Sequence, residues 1–361
     1  MKTKVDSFWF TYFCIRLFYL FFTVFVYSKL TILGDTHRYL TIGISPSVDM
    51  LFSSTLLMDF LGGIAGYLSG GIDIISNFPF MLVSFFSVKW VVESLELKKY
   101  VSKRLLLFLL STPSFCIWTS ICSKETIGLL FISIFAVLLV NFLQGDYKIR
   151  VRDWGAAYLC LLFKPQYFIF ILQGLFYIYL SAKIKRPQIN FLLGVVFVFC
   201  NLLVLYLLRN IVNEYAEIMY MHFDFKGSGS TRDNIFLHEN DFFYHAPAGM
   251  FLAFWGPNLS EMLSKPTHLF VGIESFVVMV VFCYLVYRYF FRLLIKGKFS
   301  PTILFSYFII FTGISLLHYP FGIFNPGSAI RYRTNFFFLF VVLLLYLHIY
   351  TSHCLHKKNN L

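Results

Sequence analysis

Residues 8–30 read FWFTYFCIRLFYLFFTVFVYSKL, an apolar run of 23 residues. As a helix, a run of this length crosses a hydrocarbon core of about 30 Å. A helix is favoured because every backbone polar group in lipid must be satisfied within the segment. Comparable runs recur along the chain and are too long for the strands of a membrane barrel. The sequence therefore predicts an all-α polytopic integral membrane protein.

The composition supports this class and excludes others. Of 361 residues, 58% are hydrophobic and 13% are charged, with a mean hydropathy of +0.73; soluble domains are roughly 45–50% apolar and 25% charged. The net charge of +12 does not indicate nucleic acid, because the cations lie in short loops rather than on one face of a soluble domain. The seven cysteines show neither metal-ligand spacing nor a disulfide framework.

The number and spacing of these apolar runs predict about ten membrane helices in a single membrane domain, residues 1–361. Cations concentrate in cytoplasmic loops, and here they precede the first run at Lys2 and Lys4, occupy several alternate loops, and follow the last run at Lys357 and Lys358. Both termini are therefore expected in the cytoplasm. The predicted runs are 8–30, 74–92, 105–122, 126–143, a split pair in 154–180, 189–208, 269–290, 301–317 and a last run ending near 352.

The split pair is predicted around Lys164-Pro165. Proline removes a helical hydrogen bond and a lysine in hydrocarbon is costly, so two short helices should meet at a water-accessible turn. This arrangement also keeps the basic loop at 183–186 in the cytoplasm, where a single kinked helix would place it outside.

Two segments between the runs are expected outside. Residues 31–73 form a first outer loop with an interfacial amphipathic helix and a turn at Gly70-Gly71; the alternative is a poor membrane helix in which Gly62, Gly66 and Gly70 allow close packing. Residues 209–268 form a long outer loop, including Lys226 and the stretch GSGS at 227–230, with the composition of a lid. Its histidines His222, His238 and His245 lack metal spacing, so no metal ligands are predicted.

Polar clusters from distant parts of the chain fall on the outer side of this topology. Asp35 is the candidate catalytic residue, since a carboxylate can act as a general base on a hydroxyl. Candidate groups for binding the substrate or its phosphate are His37, Arg38, Lys124, Glu125, Lys164, Gln166, Arg331 and Arg333. The matching ligand is amphiphilic, a sugar joined through phosphate to a long lipid.

Each candidate also has a structural interpretation. Asp35 can end the first helix or cap the next one. Lys124 and Glu125 can be a snorkelling pair at a helix end, and Arg331 and Arg333 can be interface anchors. Arg331 and Arg333 depart from the positive-inside bias, which favours an anionic ligand.

Several short motifs resemble a known superfamily. Gly34, Asp35 and Tyr39 resemble the first outer loop of GT-C glycosyltransferases, which use polyprenyl-phosphate-linked sugars. Pro113-Ser114 with Trp118-Thr119-Ser120 and Ser123-Lys124-Glu125 is similar to a pattern in membrane proteins of bacterial surface-polysaccharide gene clusters. The resemblance implies a GT-C-like fold in the bacterial inner membrane, with Asp35 as the base on the periplasmic side. It leaves metal dependence open; no cofactor is indicated.

The size and phenylalanine content also look like O-antigen or capsule repeat-unit polymerases, which join polyprenyl-linked oligosaccharides and work with a flippase and a chain-length regulator. A transferase of single sugars is the alternative within the same chemistry. A transporter of a lipid-linked sugar is the alternative of another class; transport calls for charges near the membrane midplane, whereas the clustered charges here gather at one face. A purely structural subunit leaves the outer cations unexplained.

Overall fold

The computed structural model describes residues 6–224, 232–295 and 299–356. The described residues contain helices and no strand, so the predicted all-helical class is confirmed. Among the described residues, seven helices are long and apolar enough to cross a membrane. They are Ser7–Leu30, Asp73–Ser94, Lys124–Leu143, Pro187–Leu207, Pro266–Phe291, Pro301–Ile323 and Pro326–Thr351.

The helices are numbered in chain order. They are α1 (Ser7–Phe22), continued through a π-helical turn (Thr23–Tyr27) by α2 (Ser28–Leu30); α3 (Thr36–Thr41); α4 (Ser54–Leu68), after a 3-10 turn (Val48–Leu51); α5 (Asp73–Ser94); α6 (Leu97–Tyr100); α7 (Lys103–Leu110); α8 (Pro113–Trp118); α9 (Lys124–Leu143); α10 (Val151–Phe163); α11 (Pro165–Ala182); α12 (Pro187–Leu207); α13 (Arg209–Asp224); α14 (Asp241–Trp255); α15 (Leu259–Ser264); α16 (Pro266–Ile295); α17 (Pro301–Ile323); and α18 (Pro326–His356).

Three helix boundaries bear on the sequence predictions. The break at Lys164 is confirmed, since α10 ends at Phe163 and α11 begins at Pro165. The expected third run, 105–122, is wrong as one helix: it divides into α7 and α8, and residues 119–123 follow without helical structure. The predicted run 301–317 is longer in the structure, because α17 extends to Ile323, and α18 begins at Pro326.

Some predictions fall on residues outside the described ranges. They concern the flanking cations and the glycine-serine stretch, namely Lys2, Lys4, Lys226, residues 227–230, Lys296, Lys298, Lys357 and Lys358. The predicted side of each terminus rests on several of these residues and stays a prediction.

The chain packs as two compact units. The first comprises residues 1–138, 149–165 and 334–345, and the second comprises residues 139–148, 166–333 and 346–361. The membrane helices differ widely in burial: 89% of the apolar window in Pro326–Thr351 is buried, against 11% in Pro187–Leu207. Apolar composition alone thus does not separate the buried helix α18 from α12, whose surface is largely exposed.

Side-chain contacts define one end of the first unit. Lys98 Nζ lies 2.7 Å from Asp6 Oδ2 and 2.7 Å from Glu93 Oε1, and the indole of Trp9 also donates to Glu93. The start of α1, the end of α5 and α6 therefore share this end. Since α1, the π-helical turn and α2 together span 24 residues, their far end lies about 36 Å away. Asp35 follows at that far end.

The second unit also has two polar ends. At one, the amide of Asn190 donates to Ser181 Oγ at 2.7 Å and to Thr302 Oγ1 at 2.9 Å, which joins the end of α11 to the starts of α12 and α17. At the other, Arg232 donates to the carbonyl of Ile323 at 2.8 Å and forms an ion pair with Glu261. The segment 232–261 is thus held to the end of α17, just before Arg331.

Candidate functional site

Asp35 is exposed at the residue that precedes α3. Gly34 has a φ of +59°, a left-handed conformation that glycine adopts without a side-chain clash and that turns the chain into α3. The Asp35 carboxylate makes no capping hydrogen bond to α3, although capping was one interpretation of the sequence. Its closest described partner is the Tyr39 hydroxyl, 3.4 Å from Oδ2. The carboxylate is therefore accessible from the surface of the first unit.

Glycines in α4 allow α3 and the following turn to pack closely against it. A Cβ atom at Gly62 would lie 2.7 Å from Tyr39 Cβ, and one at Gly66 would lie 2.0 Å from the Leu40 carbonyl oxygen. The spacing of Gly62 and Gly66 thus serves close packing, as the small-residue interpretation expected, but the partner is α3. Gly70 instead lies in a turn, with a φ of +63°. The membrane-surface position of α4 stays a prediction.

An ion pair joins the same two helices. Arg38 Nη2 lies 3.3 Å from Asp59 Oδ1, and the side chains are 47% and 14% exposed. The guanidinium also lies over the Tyr39 ring, 4.9 Å from its centroid. Sequence reasoning placed Asp59 only on the polar face of an amphipathic helix. The sequence feature that could have identified Asp59 is a carboxylate between Met58 and Phe60. In the structure, this carboxylate forms an ion pair with Arg38, a predicted phosphate ligand.

Lys124 lies at the start of α9 and reaches the start of α4. Its Nζ donates to Thr55 Oγ1 at 2.9 Å and to Ser54 Oγ at 3.2 Å. Two residues before Lys124, the Cys122 carbonyl accepts a hydrogen bond from the Thr36 hydroxyl at 3.0 Å. The residue after Asp35 is therefore hydrogen-bonded to a residue just before Lys124.

Two further predicted site residues, Glu125 beside Lys124 and His37 near Asp35, differ in exposure. Glu125, the second residue of α9, is fully buried, whereas His37 in α3 is exposed. The Glu125 side chain thus belongs to the interior of the first unit, and His37 lies on its surface beside Asp35.

Lys164 belongs to the same unit and follows α10. The guanidinium of Arg152, at the start of α10, lies 4.7 Å from the centroid of the Trp90 ring near the end of α5. Further along α10, the Tyr158 hydroxyl donates to the Leu51 carbonyl at 2.8 Å, between α3 and α4. α10 therefore runs toward the end of the unit that carries Asp35, and Lys164 lies toward that end.

The remaining predicted residues, Gln166, Arg331 and Arg333, belong to the second unit. Arg333 is 3% exposed and donates to the Phe254 carbonyl at 2.9 Å, to Ser275 Oγ at 2.7 Å and to Glu274 Oε1 at 3.3 Å. The structure thus gives Arg333 a set of protein partners within the fold. Gln166 and Arg331 are partly exposed. That all these groups line one cavity stays a prediction.

Sequence reasoning missed Arg16. It is the tenth residue of the span Ser7–Leu30 and is fully buried, so the view that the unusual charges gather at one face was incomplete. Its hydrogen bonds go to Thr119 and Ser84. A charged residue within an apolar run is the signal that identifies it, because ionised side chains are expensive inside a membrane.

No group of three or more His, Cys, Asp or Glu side chains that could hold a metal ion occurs within residues 6–224, 232–295 and 299–356. In comparisons with known proteins, the chain matches no family model, no curated protein and no solved structure.

Proposed function

We propose that this protein is a membrane glycosyltransferase of bacterial surface-polysaccharide assembly that uses a polyprenyl-diphosphate-linked glycan as donor, and that it is a repeat-unit polymerase. One observation carries the proposal: an exposed carboxylate, Asp35, and a lysine, Lys124, are joined through the Thr36 to Cys122 hydrogen bond at one end of an apolar helical unit. The resemblance of both segments to GT-C and polysaccharide-cluster proteins supports the same reaction.

The proposed chemistry uses Asp35 as general base. Asp35 accepts the proton of an acceptor hydroxyl while the hydroxyl oxygen attacks the anomeric carbon of the donor sugar. The bond from that carbon to the phosphate oxygen breaks, and the polyprenyl diphosphate leaves with the electron pair. Lys124 and Arg38 stabilise the leaving diphosphate, because charge-assisted hydrogen bonds to phosphate are about twice as strong as neutral ones. The anomeric configuration is inverted.

A further phosphate contact is proposed from Lys164, which lies toward the same end of the first unit. This assignment places the site on the periplasmic side of the inner membrane. The donor's isoprenoid chain then remains in the bilayer beside the apolar helices. A flippase that delivers the donor and a chain-length regulator are the expected partners.

Replacement of Asp35 tests the base. In a deletion strain complemented with Asp35→Asn, long-chain glycan should be lost while the protein still accumulates in the membrane. Asp49→Asn is the matched control, since Asp49 is an exposed carboxylate of the same loop segment and its side chain accepts a hydrogen bond from Ser47. Undiminished polymer in the Asp35→Asn strain would refute the role of Asp35.

The banding of the deletion strain distinguishes a polymerase from a single-sugar transferase. Loss of the long-chain ladder with one repeat retained supports the polymerase. Loss of one side-branch sugar with the ladder preserved supports transfer of single sugars from a polyprenyl-phosphate donor.

A transporter of lipid-linked sugar is the second candidate, and a specific observation favours it. Arg16 and the Arg333–Glu274 pair place charges within membrane helices, which is the distribution expected for transport. Purified protein in vesicles decides between the two functions. Formation of a new glycosidic bond supports the transferase, whereas movement of the lipid-linked sugar across the bilayer without a new bond supports the transporter.

A further inference from the structure

Arg16 binds the end of a broken helix. Its Nη1 donates to Thr119 Oγ1 at 2.8 Å and its Nη2 donates to the Thr119 carbonyl at 2.7 Å; Nη2 also contacts Ser84 Oγ. Thr119 caps the C-terminus of α8, where carbonyl groups lack helical partners and carry partial negative charge. The guanidinium thus satisfies a helix end that lipid cannot solvate.

Two other arginines bind helix ends, and they differ from Arg16 in one respect. Arg232 donates to carbonyls at the end of α17, and Arg333 donates to the Phe254 carbonyl near the end of α14. Each also has a glutamate partner, Glu261 and Glu274 respectively. Among the described residues, Arg16 donates to a carbonyl and two hydroxyls and lies over the Phe115 ring, and no ion pair joins it to a carboxylate. Its positive charge therefore acts on Thr119 without a competing carboxylate.

Residues 119–123, which we term the helix break, connect this arginine to the candidate site. Within the break, the Cys122 N–H donates to Asn77 Oδ1 at 2.7 Å, and the Cys122 carbonyl accepts from the Thr36 hydroxyl at 3.0 Å. Thr36 follows Asp35 directly in the chain, and Lys124 is the first residue after the break. The position of the break thus contributes, together with the Lys124 contacts to α4, to the separation of Asp35 and Lys124.

We propose that Arg16 is a positioning residue that holds the helix break so that Asp35 and Lys124 stand at their working separation. This inference rests on the proposed glycosyl transfer. The guanidinium does not contact the reacting groups and acts on them through Thr119 and Cys122.

Variants of the residues that accept hydrogen bonds from Arg16 test the proposal without removing a buried charge. Thr119→Val deletes the Oγ1 acceptor and Ser84→Ala deletes the second hydroxyl. Ser87→Ala is the matched control, because Ser87 is also buried on α5 but bonds only the Val83 carbonyl of its own helix. Arg16→Lys and Arg16→Gln complete the series, since lysine retains the charge at the helix end and glutamine does not.

Two measurements separate structure from catalysis. Hydrogen–deuterium exchange of peptides covering 119–123 reports on the break. Initial rates in vesicles, with undecaprenyl-diphosphate-linked repeat unit extracted from the deletion strain, report kcat and KM. Thr119→Val should increase exchange in the break and lower kcat about tenfold, since a misplacement of about 1 Å costs up to about 100-fold in rate. KM should change little, because Lys124 keeps its contacts to α4.

The remaining variants have defined outcomes. Arg16→Gln should lower kcat about 100-fold, Arg16→Lys should recover part of that loss, and Ser87→Ala should match wild type in both measurements. Unchanged exchange in Thr119→Val and Ser84→Ala would overturn the proposal, and so would faster exchange with unchanged kcat. If wild-type protein forms no glycosidic bond, the proposed function fails and the positioning role falls with it, while the exchange data still report whether Arg16 holds the break.

Discussion

The contact between α3 and α4 provides a quantitative test of how the Asp35 loop is held. A Cβ atom at Gly66 would lie 2.0 Å from the carbonyl oxygen of Leu40 and 3.0 Å from its carbonyl carbon. Ordinary carbon–oxygen contacts are about 3.3 Å or longer, so Gly66→Ala requires a separation of about 1.3 Å more. The obstacle is backbone rather than a flexible side chain, and α3 as a whole must therefore move.

The expected cost of Gly66→Ala follows from this displacement. Overpacking of this kind destabilises a protein by about 1–3 kcal/mol, and the higher helix propensity of alanine offsets about 0.5–1 kcal/mol of it. Gly155→Ala is the matched control, because a Cβ atom at Gly155 in α10 meets nothing within 4 Å. That variant should be as stable as wild type or slightly more stable.

Thermal unfolding of the purified variants in one detergent measures the difference, and glycan production in the complemented strain reports on Asp35. Gly66→Ala should unfold at lower temperature than both wild type and Gly155→Ala, and it should make less polymer. A Gly66→Ala protein with wild-type unfolding temperature would show that α3 does not pack on α4 as described, and the reasoning about Asp35 would fail.

Three further outcomes are expected. Glu274→Ala removes the carboxylate partner of buried Arg333 and should destabilise the protein by about 3–5 kcal/mol; adding Arg333→Met should recover much of this in a chemical denaturation series. Burial acts to raise the pKa of Glu261, but hydrogen bonds from Arg232 and from the Asn258 N–H outweigh it and lower that pKa below its ordinary value. The Glu261 contribution to stability is therefore present above pH 4.5 and is lost as pH falls through the lowered pKa, so unfolding temperatures of wild type and Glu261→Gln should converge at acidic pH. Lys124→Gln should raise KM for the lipid-linked donor about 10-fold or more at similar protein levels, because a hydrogen bond to a charged group contributes about 1.5–3 kcal/mol.

The positions of the helix interruptions were only partly predictable. The break at Lys164-Pro165 followed from two residues whose cost in a continuous membrane helix is local, one lost hydrogen bond and one charge. The break at 119–123 was missed, since its residues are small or apolar and local preferences do not forbid a helix there. Its carbonyl and amide groups find partners on Arg16, Asn77 and Thr36, and these partners become available only after the helices pack.

The residues of the candidate site were also only partly predictable from the sequence. Asp35 and Lys124 were identified from charge in an apolar chain and from short motifs. Asp59 and Arg16 were not, because each gains its importance from a partner distant in sequence; Arg16 and Thr119 are 103 residues apart.

The sequence by itself determined that the chain is helical and membrane-embedded, because length and hydrophobicity are local properties that act on each segment separately. The tertiary structure decided which apolar helix is buried and which stays exposed, as α18 and α12 show. It also decided which polar groups meet. Such contacts depend on how glycine-lined surfaces and helix ends pack against one another, and that information is spread over residues far apart in the chain.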